Sequence, residues 1–249
     1  LETNLILLGF TASLAAGLAT GVGALPSLFI KQASEKWLDI MLGFAAGVML
    51  AATVFSLLIP AIEAGGVWIS TLGLIIGAVF LSSMDRLVPH FHFISGAEGP
   101  PSRLRKIWLF IIAITLHNFP EGLSVGVGFG SGNIYTGVTL AMAIGLQNMP
   151  EGLAVALPLK REGYPPGRAL GYATLSGLVE PLAGLLGVSI IALARPVLPF
   201  ALAFAAGAML YVIFDEIIPE SHRLGHEKEA TFGGIVGFGI MMIIDTVLG

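Results

Sequence analysis

Cysteine is absent from this 249-residue chain. That excludes disulfides and thiolate ligands, so any bound metal must rest on histidine, carboxylate, amide or methionine. Charge is nearly as scarce. Asp, Glu, Lys and Arg make up 11% of the residues, against about 25% in an ordinary soluble domain. A water-soluble globule could not cover its surface with so few charges. With mean hydropathy at +0.90, the solvent this chain is built for is lipid. The net charge of −4 comes without any basic cluster interleaved with aromatics, which excludes a nucleic-acid interface. A cleavable leader is not expected either. The apolar run from Leu5 is too long for a signal-peptide core and continues as a span.

What remains is apolar sequence in long blocks. A bilayer core requires about 20 mostly apolar residues per helix. Eight such blocks occupy 4–30, 38–62, 67–89, 104–130, 134–159, 167–193, 197–221 and 231–248. The expected fold is therefore all-α, a single polytopic transmembrane domain over 1–249. Eleven of the 12 basic residues fall in alternate loops: Lys31 and Lys36; Arg86, Arg103, Arg105 and Lys106; Lys160, Arg161 and Arg168; Arg223 and Lys228. Only Arg195 lies opposite. Basic loops stay cytoplasmic, which places both termini outside the cytoplasm.

The chain also repeats. Shifted by 160 residues, Phe44-Ala45-Ala46-Gly47-Val48-Met49-Leu50 falls on Phe204-Ala205-Ala206-Gly207-Ala208-Met209-Leu210. Gly73, Gly77 and Asp85 fall on Gly233, Gly237 and Asp245, and Gly17-Leu18 on Gly177-Leu178, which sets Thr20 opposite Glu180. Later the register slips by one, so that Ile59-Pro60 matches Ile218-Pro219. Spans 1–3 thus match spans 6–8, an odd number of crossings apart, and the copies must be inverted. Inverted repeats belong to transporters, because exchanging the conformations of the two halves exchanges inward for outward access. The Gly43/Gly47, Gly73/Gly77 and Gly233/Gly237 pairs read as close helix packing.

Spans 4 and 5 carry a second duplication. His117-Asn118-Phe119-Pro120-Glu121-Gly122-Leu123 recurs as Gln147-Asn148-Met149-Pro150-Glu151-Gly152-Leu153. His117 and Glu121 are i,i+4 neighbours on a helix, as are Gln147 and Glu151, with Asn118 and Asn148 on the same faces. Pro120 and Pro150 cannot donate to the carbonyls of Leu116 and Leu146, so a kink is expected in each span. The centres of spans 2, 4, 5 and 6 fall near Met49, His117, Gln147 and Glu180. A charge at the midplane costs about 2.5–3.5 kcal/mol on the lenient insertion scale. Carboxylates gathered there require a cation, and a divalent ion held by imidazole and carboxylate is the simplest one. Met49 reads either as a soft ligand or as packing, since its repeat mate is Met209.

These residues resemble the ZIP (Zrt-, Irt-like protein) family of metal transporters, and the second motif resembles its prokaryotic GufA-like branch. The resemblance covers the whole chain. It implies a 3+2+3 arrangement of spans and zinc uptake across a bacterial inner membrane. It implies a binuclear midplane site. His117, Glu121, Gln147 and Glu151, with Met49 nearby, match one metal position. Asn118, Asn148 and Glu180, with bridging Glu121 and Glu151, match the other. It also implies a homodimer in which spans 1, 4, 5 and 6 move against spans 2, 3, 7 and 8. Many relatives have His where Gln147 stands, a departure that opens the site to Cd2+, Fe2+ or Mn2+ beside Zn2+. The 3–4 loop, long and His-rich in much of the family, keeps only His90 and His92 here.

The repeat also orders the route. Glu63 and Asp245 are expected to form an outer entrance. Asp85, His90, His92, Glu216, Glu220, His222 and His226 are expected to form the cytosolic exit. Glu220 and His226 read equally well as solvated end charges. Three other functions stay open. An intramembrane zinc hydrolase would need a metal-bound water and a base. His117-x-x-x-Glu121 fits that superficially, without any HExxH. Export of the same ions and carriage of protons or organic ions are the others.

Overall fold

Lipid offers no hydrogen-bond partner, so a spanning backbone must satisfy its N–H and C=O groups within its own helix. The computed structural model follows that rule. It describes residues 2–30, 34–92, 96–100 and 106–248. Lys31, Arg103 and Arg105 lie outside the described residues, as do the side chains of His92 and Lys106. In chain order come α1 (Glu2–Ala24), α2 (Glu35–Ala52), α3 (Ile59–Leu87), strands β1 (His90–His92) and β2 (Gly96–Glu98), α4 (Lys106–Gly130), α5 (Ile134–Arg161), α6 (Pro166–Gly177), α7 (Glu180–Leu193), α8 (Leu198–Val212), α9 (Ile218–Ser221) and α10 (Glu227–Leu248). Local chemistry sets several ends. Asn133 caps α5 by accepting from the Tyr135 amide at 3.0 Å. Pro166 opens α6, where its missing N–H costs nothing.

Among the described residues, 7 helical runs are long and apolar enough to cross a bilayer. The second, Glu35–Leu87, takes in two of the expected spans. At 53 residues it would reach about 80 Å if straight, against a hydrocarbon core of about 30 Å. Gly66 is its non-helical point, at φ 77° and ψ 166°, a conformation that suits glycine. Both α4 and α5 run through their prolines. The sixth expected span is instead the broken one, between Gly177 and Glu180.

Helix α2 lies along α10 and α3 along α8, while α1 packs on α5 and α7, and α4 on α7. Close approaches recur at the offset of 160. Gly47 meets the carbonyl of Gly234, and Gly207 that of Leu74; a Cβ on either glycine would come within 1.9 Å of the oxygen. Gly77 meets the carbonyl of Phe204 as Gly237 meets that of Phe44, and Gly17 and Gly177 meet each other. Two π-helical segments sit at the same offset, Thr53–Leu58 between α2 and α3 and Ile213–Ile217 between α8 and α9. They hold 6 and 5 residues. A π-turn takes up one residue more than an α-turn, so the slip in the repeat register falls inside these segments.

One end of the bundle gathers the basic loops. Lys160 Nζ donates to the carbonyls of Ser27 and Ile30, the latter at 2.7 Å, which ties α5 to the end of α1. Lys36 pairs with Glu229 at 2.5 Å, and Arg161 with Glu35 at 3.6 Å. The β1–β2 hairpin, opposing His90 to Glu98, lies against α4. Sequence periodicity marked this stretch only as a loop.

Candidate metal centre

The centre is built on α4 and α5. One turn of helix separates His117 from Glu121 and Gln147 from Glu151, so both motifs point their polar groups the same way. The motif glycines bring other backbones close. A Cβ on Gly122 would lie 2.3 Å from the Glu180 carbonyl, and one on Gly152 would lie 1.9 Å from the Thr20 carbonyl. Glu180 opens α7, at the break in the sixth span. There its carboxylate faces the positive end of the helix dipole.

His117 Nε2 lies 3.5 Å from Glu121 Oε1 and 3.4 Å from Glu151 Oε2. These distances are long for hydrogen bonds, which cluster at about 2.7–3.2 Å. They are the right length for two edges of a coordination tetrahedron. Ligand atoms about 2.1 Å from a tetrahedral zinc stand about 3.4 Å apart. The ligand atoms of His117, Glu121 and Glu151 all lie within 4.8 Å of one another. On the other ring edge, His117 Nδ1 lies 3.3 Å from Glu216 Oε2. A carboxylate behind a histidine fixes the tautomer and leaves Nε2 as the donor to metal.

The amides orient the carboxylates. Gln147 Nε2 donates to Glu121 Oε1 at 2.6 Å. Asn148 Nδ2 donates to Glu180 Oε1 at 2.7 Å and to the Ala16 carbonyl at 2.8 Å. A second set of polar atoms is buried without a hydrogen-bond partner: both amide atoms of Asn118, Asn148 Oδ1, Glu121 Oε2, Glu151 Oε1, Glu180 Oε2 and Gln147 Oε1. A buried polar atom left unpaired costs about 1–3 kcal/mol. So many oxygens at one depth make a cation the natural partner.

A cavity of about 80 Å³ leads from this cluster toward the end that carries Lys160. His117 and Glu151 form its inner wall, and Glu216 and Glu220 lie farther along, among Phe110, Ala113 and Ile114. Glu216 reaches His117 from the π-segment that precedes α9.

The other anticipated residues are placed as follows. Met49 is fully buried in the main apolar cluster, as is Met209. Glu63 is exposed beside the Gly66 turn. Asp245 accepts a short hydrogen bond from Ser56. Asp85 lies 3.0 Å from His90 Nε2, and Glu98 lies 3.6 Å from the same nitrogen. His90 Nδ1 lies 2.8 Å from the Val88 carbonyl. These contacts push the His90 pKa up to about 9, the Asp85 hydrogen bond most strongly, against the opposing pull of burial. His222 turns away from the cavity and lines a separate apolar one of about 390 Å³ between α2 and α10, with Nε2 3.1 Å from Thr231. His226 pairs with Asp39 at 2.8 Å.

Two residues here escaped the sequence reading. Asp39 is 2% exposed one turn into α2. A lone acid inside an apolar run was the available signal. Ser56 carried none, since a serine in a span is ordinary.

Comparison with known proteins gives the chain its relatives. The Zip family profile, described as ZIP Zinc transporter, matches residues 95–245. Zinc transporter ZIPB of Bordetella bronchiseptica is 44% identical over 93% of this chain and 78% of its own length. Zinc transporter GufA of Myxococcus xanthus is 44% identical over 97% of this chain and 99% of its own. Zinc transporter ZIP11 of Homo sapiens is 38% identical over 92% and 94%. With paired PEG motifs on α4 and α5 and similarity along nearly its whole length, the chain belongs to the ZIP family.

Proposed function

We propose that the protein carries divalent metal ions, zinc foremost, across the membrane and releases them at the end bearing the basic loops. The observation that carries this reading is the His117–Glu121–Glu151 triangle, spaced for a tetrahedral ion and standing at the head of an acidic cavity. On this reading the chain crosses the bilayer eight times, turning back at Gly66, with both termini outside. The 53-residue run supports that turn, being far too long for one crossing. The glycine–carbonyl contacts that recur at an offset of 160 support an inverted repeat of spans 1–3 in spans 6–8.

The site is binuclear on the same reading. His117, Glu121 and Glu151 hold the first ion, with Gln147 steadying Glu121. Asn118, Asn148 and Glu180 complete the second position, with Glu121 and Glu151 bridging; the orphaned oxygens of these residues support it. Access alternates, and the present cavity corresponds to the inward-open state. The direction on this reading is uptake, with Glu216 and Glu220 as acidic steps on the basic-loop side of the site.

The deciding experiment is zinc flux into liposomes that hold a zinc-sensitive dye. Glu121→Ala and Glu151→Ala should abolish flux, since both carboxylates serve both ions. Glu180→Ala should only slow it. Equal loss in all three, or no loss, would defeat this division of roles.

A further inference from the structure

The polar residues around the second position come in mate pairs, and one mate has no task yet. Asn118 answers to Asn148 and Glu121 to Glu151, each 30 positions apart, while Glu180 answers to Thr20 at the offset of 160. Thr20 and Glu180 leave one helix crossing from opposite sides. Gly17 and Gly177 pack on each other there. A Cβ on Gly17 would lie 3.4 Å from Glu180 Cβ, and one on Gly177 would lie 2.9 Å from Thr20 Oγ1. Backbone contacts also set Thr20 beside the site. Its carbonyl meets Gly152, next to Glu151. One turn back, the Ala16 carbonyl accepts from Asn148 Nδ2, which also donates to Glu180. A threonine inside a helix commonly donates to the carbonyl four residues back, as Thr53, Thr115 and Thr174 do. For Thr20 that acceptor is Ala16, already taken by Asn148. Thr20 is 1% exposed, and its Oγ1 has no hydrogen-bond partner among the described residues.

We infer that the Thr20 hydroxyl is a ligand of the second position, and that this position is an all-oxygen site for a hard ion such as Mn2+. This rests on the binuclear reading above and names the ion class of its second place. Three mate pairs then supply one oxygen from each residue: Asn118 and Asn148 Oδ1, Glu121 Oε2 and Glu151 Oε1, Glu180 Oε2 and Thr20 Oγ1. Each of these atoms is buried without a hydrogen-bond partner among the described residues. Six oxygens suit the octahedral shell of Mn2+, whereas zinc favours four ligands with nitrogen among them. Zinc therefore belongs at the first position, which has His117. Mg2+ gives up its waters reluctantly and gains least from six protein oxygens. A hydroxyl where the repeat could have placed a second copy of Glu180 also spares the site a further carboxylate, so an ion held there can leave.

Purified protein loaded with one equivalent of zinc should take up one Mn2+ per chain, counted by the loss of the free-Mn2+ EPR signal. Excess Mg2+ should not displace it. Thr20→Val keeps the shape and removes the oxygen. It should raise the Mn2+ Kd about tenfold or more, as expected for losing a polar contact to a charge, and should raise the zinc Kd less. Thr20→Ser should bind Mn2+ as the parent does. Thr20→Ala, which adds no bulk at the crossing, repeats the test should the valine variant not fold. Without metal, Thr20→Val should unfold at no lower a temperature than the parent, because the hydroxyl it deletes is unpaired. Lower stability would give the hydroxyl a structural partner and overturn the inference. So would Mn2+ binding unchanged in Thr20→Val but weakened in Glu180→Gln, a result that leaves the binuclear reading standing. A parent that takes a second zinc and no Mn2+ would overturn the inference likewise. If the parent holds only one ion of any kind per chain, the binuclear reading itself falls.

Discussion

Glu216→Gln isolates the contribution of a carboxylate that touches the histidine and not the ion. Glu216 Oε2 lies 3.3 Å from His117 Nδ1, while on the proposed reading the ion sits at Nε2, between Glu121 and Glu151. Across the imidazole ring the carboxylate sits about 6–7 Å from a divalent ion, an attraction of about 1.3 kcal/mol even with water-like screening. Replacing the carboxylate behind the histidine by a neutral amide adds to this by making Nε2 a poorer donor, and changes of this kind cost about 10–100-fold in metal affinity. Glutamine keeps the shape and the hydrogen bond while removing the charge. Zinc or cadmium titration of the purified variant should therefore show a Kd raised about 10–100-fold, with the liposome KM rising in parallel and residual flux retained. A Kd within twofold of the parent would refute the argument. So would a loss as complete as that of Glu121→Gln, which would make Glu216 a ligand in its own right.

Gln147→His should shift preference toward zinc, because imidazole is the better zinc ligand; competition of Zn2+ against Cd2+ and Mn2+ measures it, and an unchanged order would sink the idea. Asn148→Asp removes both donations by the amide and sets a second carboxylate against Glu180 Oε1. Stability without metal should fall by about 1–3 kcal/mol and recover with zinc, as read by thermal unfolding at several zinc concentrations. Gly152→Ala would put a Cβ 1.9 Å from the Thr20 carbonyl and should abolish folded protein, whereas Gly171→Ala, on the exposed face of α6 with nothing within 4 Å, should be neutral or stabilising by up to about 1 kcal/mol; equal yields of the two variants would contradict the packing argument. His90 faces Asp85 and Glu98, and its pKa in the fold, about 9, exceeds the ordinary 6.5. Its hold on the hairpin is therefore complete below pH 6.5 and lost as pH rises through 9. Protection factors of the amides of residues 90–92 and 96–98, taken relative to intrinsic base-catalysed exchange, should fall across that window and lose that fall in His90→Gln.

The helical, lipid-embedded character of the chain was legible because hydropathy is a property of long stretches and tolerates local error. The pairing of His117 with Glu121 was legible because both lie within one helix, where spacing fixes geometry. What escaped depended on contacts between distant segments. Nothing near Glu216 says that it reaches across to His117, because a π-turn rotates it away from the face that α-helical counting assigns. His222 and His226 read as an i,i+4 pair, yet a turn with Gly225 at φ 87° sends one toward Thr231 and the other toward Asp39. Helices α4 and α5 stay continuous through Pro120 and Pro150, whereas the break before Glu180 falls where backbones cross tightly. Gln147, expected as a ligand, donates its Nε2 to Glu121 and keeps a buried Oε1 without a hydrogen-bond partner among the described residues, and no count of spacing distinguishes the two ends of an amide.

Length changes in proteins usually settle in loops, where an added residue disturbs little. The π-segment at Thr53–Leu58 keeps one such residue inside a membrane helix, where its partner at Ile213–Ile217 does without it. Removing that residue would not shorten a loop. It would turn everything beyond it by about 100° and draw it in by about 1.5 Å, carrying Ser56 off Asp245 and the Gly66 turn to a new heading. The two copies of the repeat are therefore not free to exchange their segments, and a chimera that swaps them should come apart first at the end that carries the Gly66 turn.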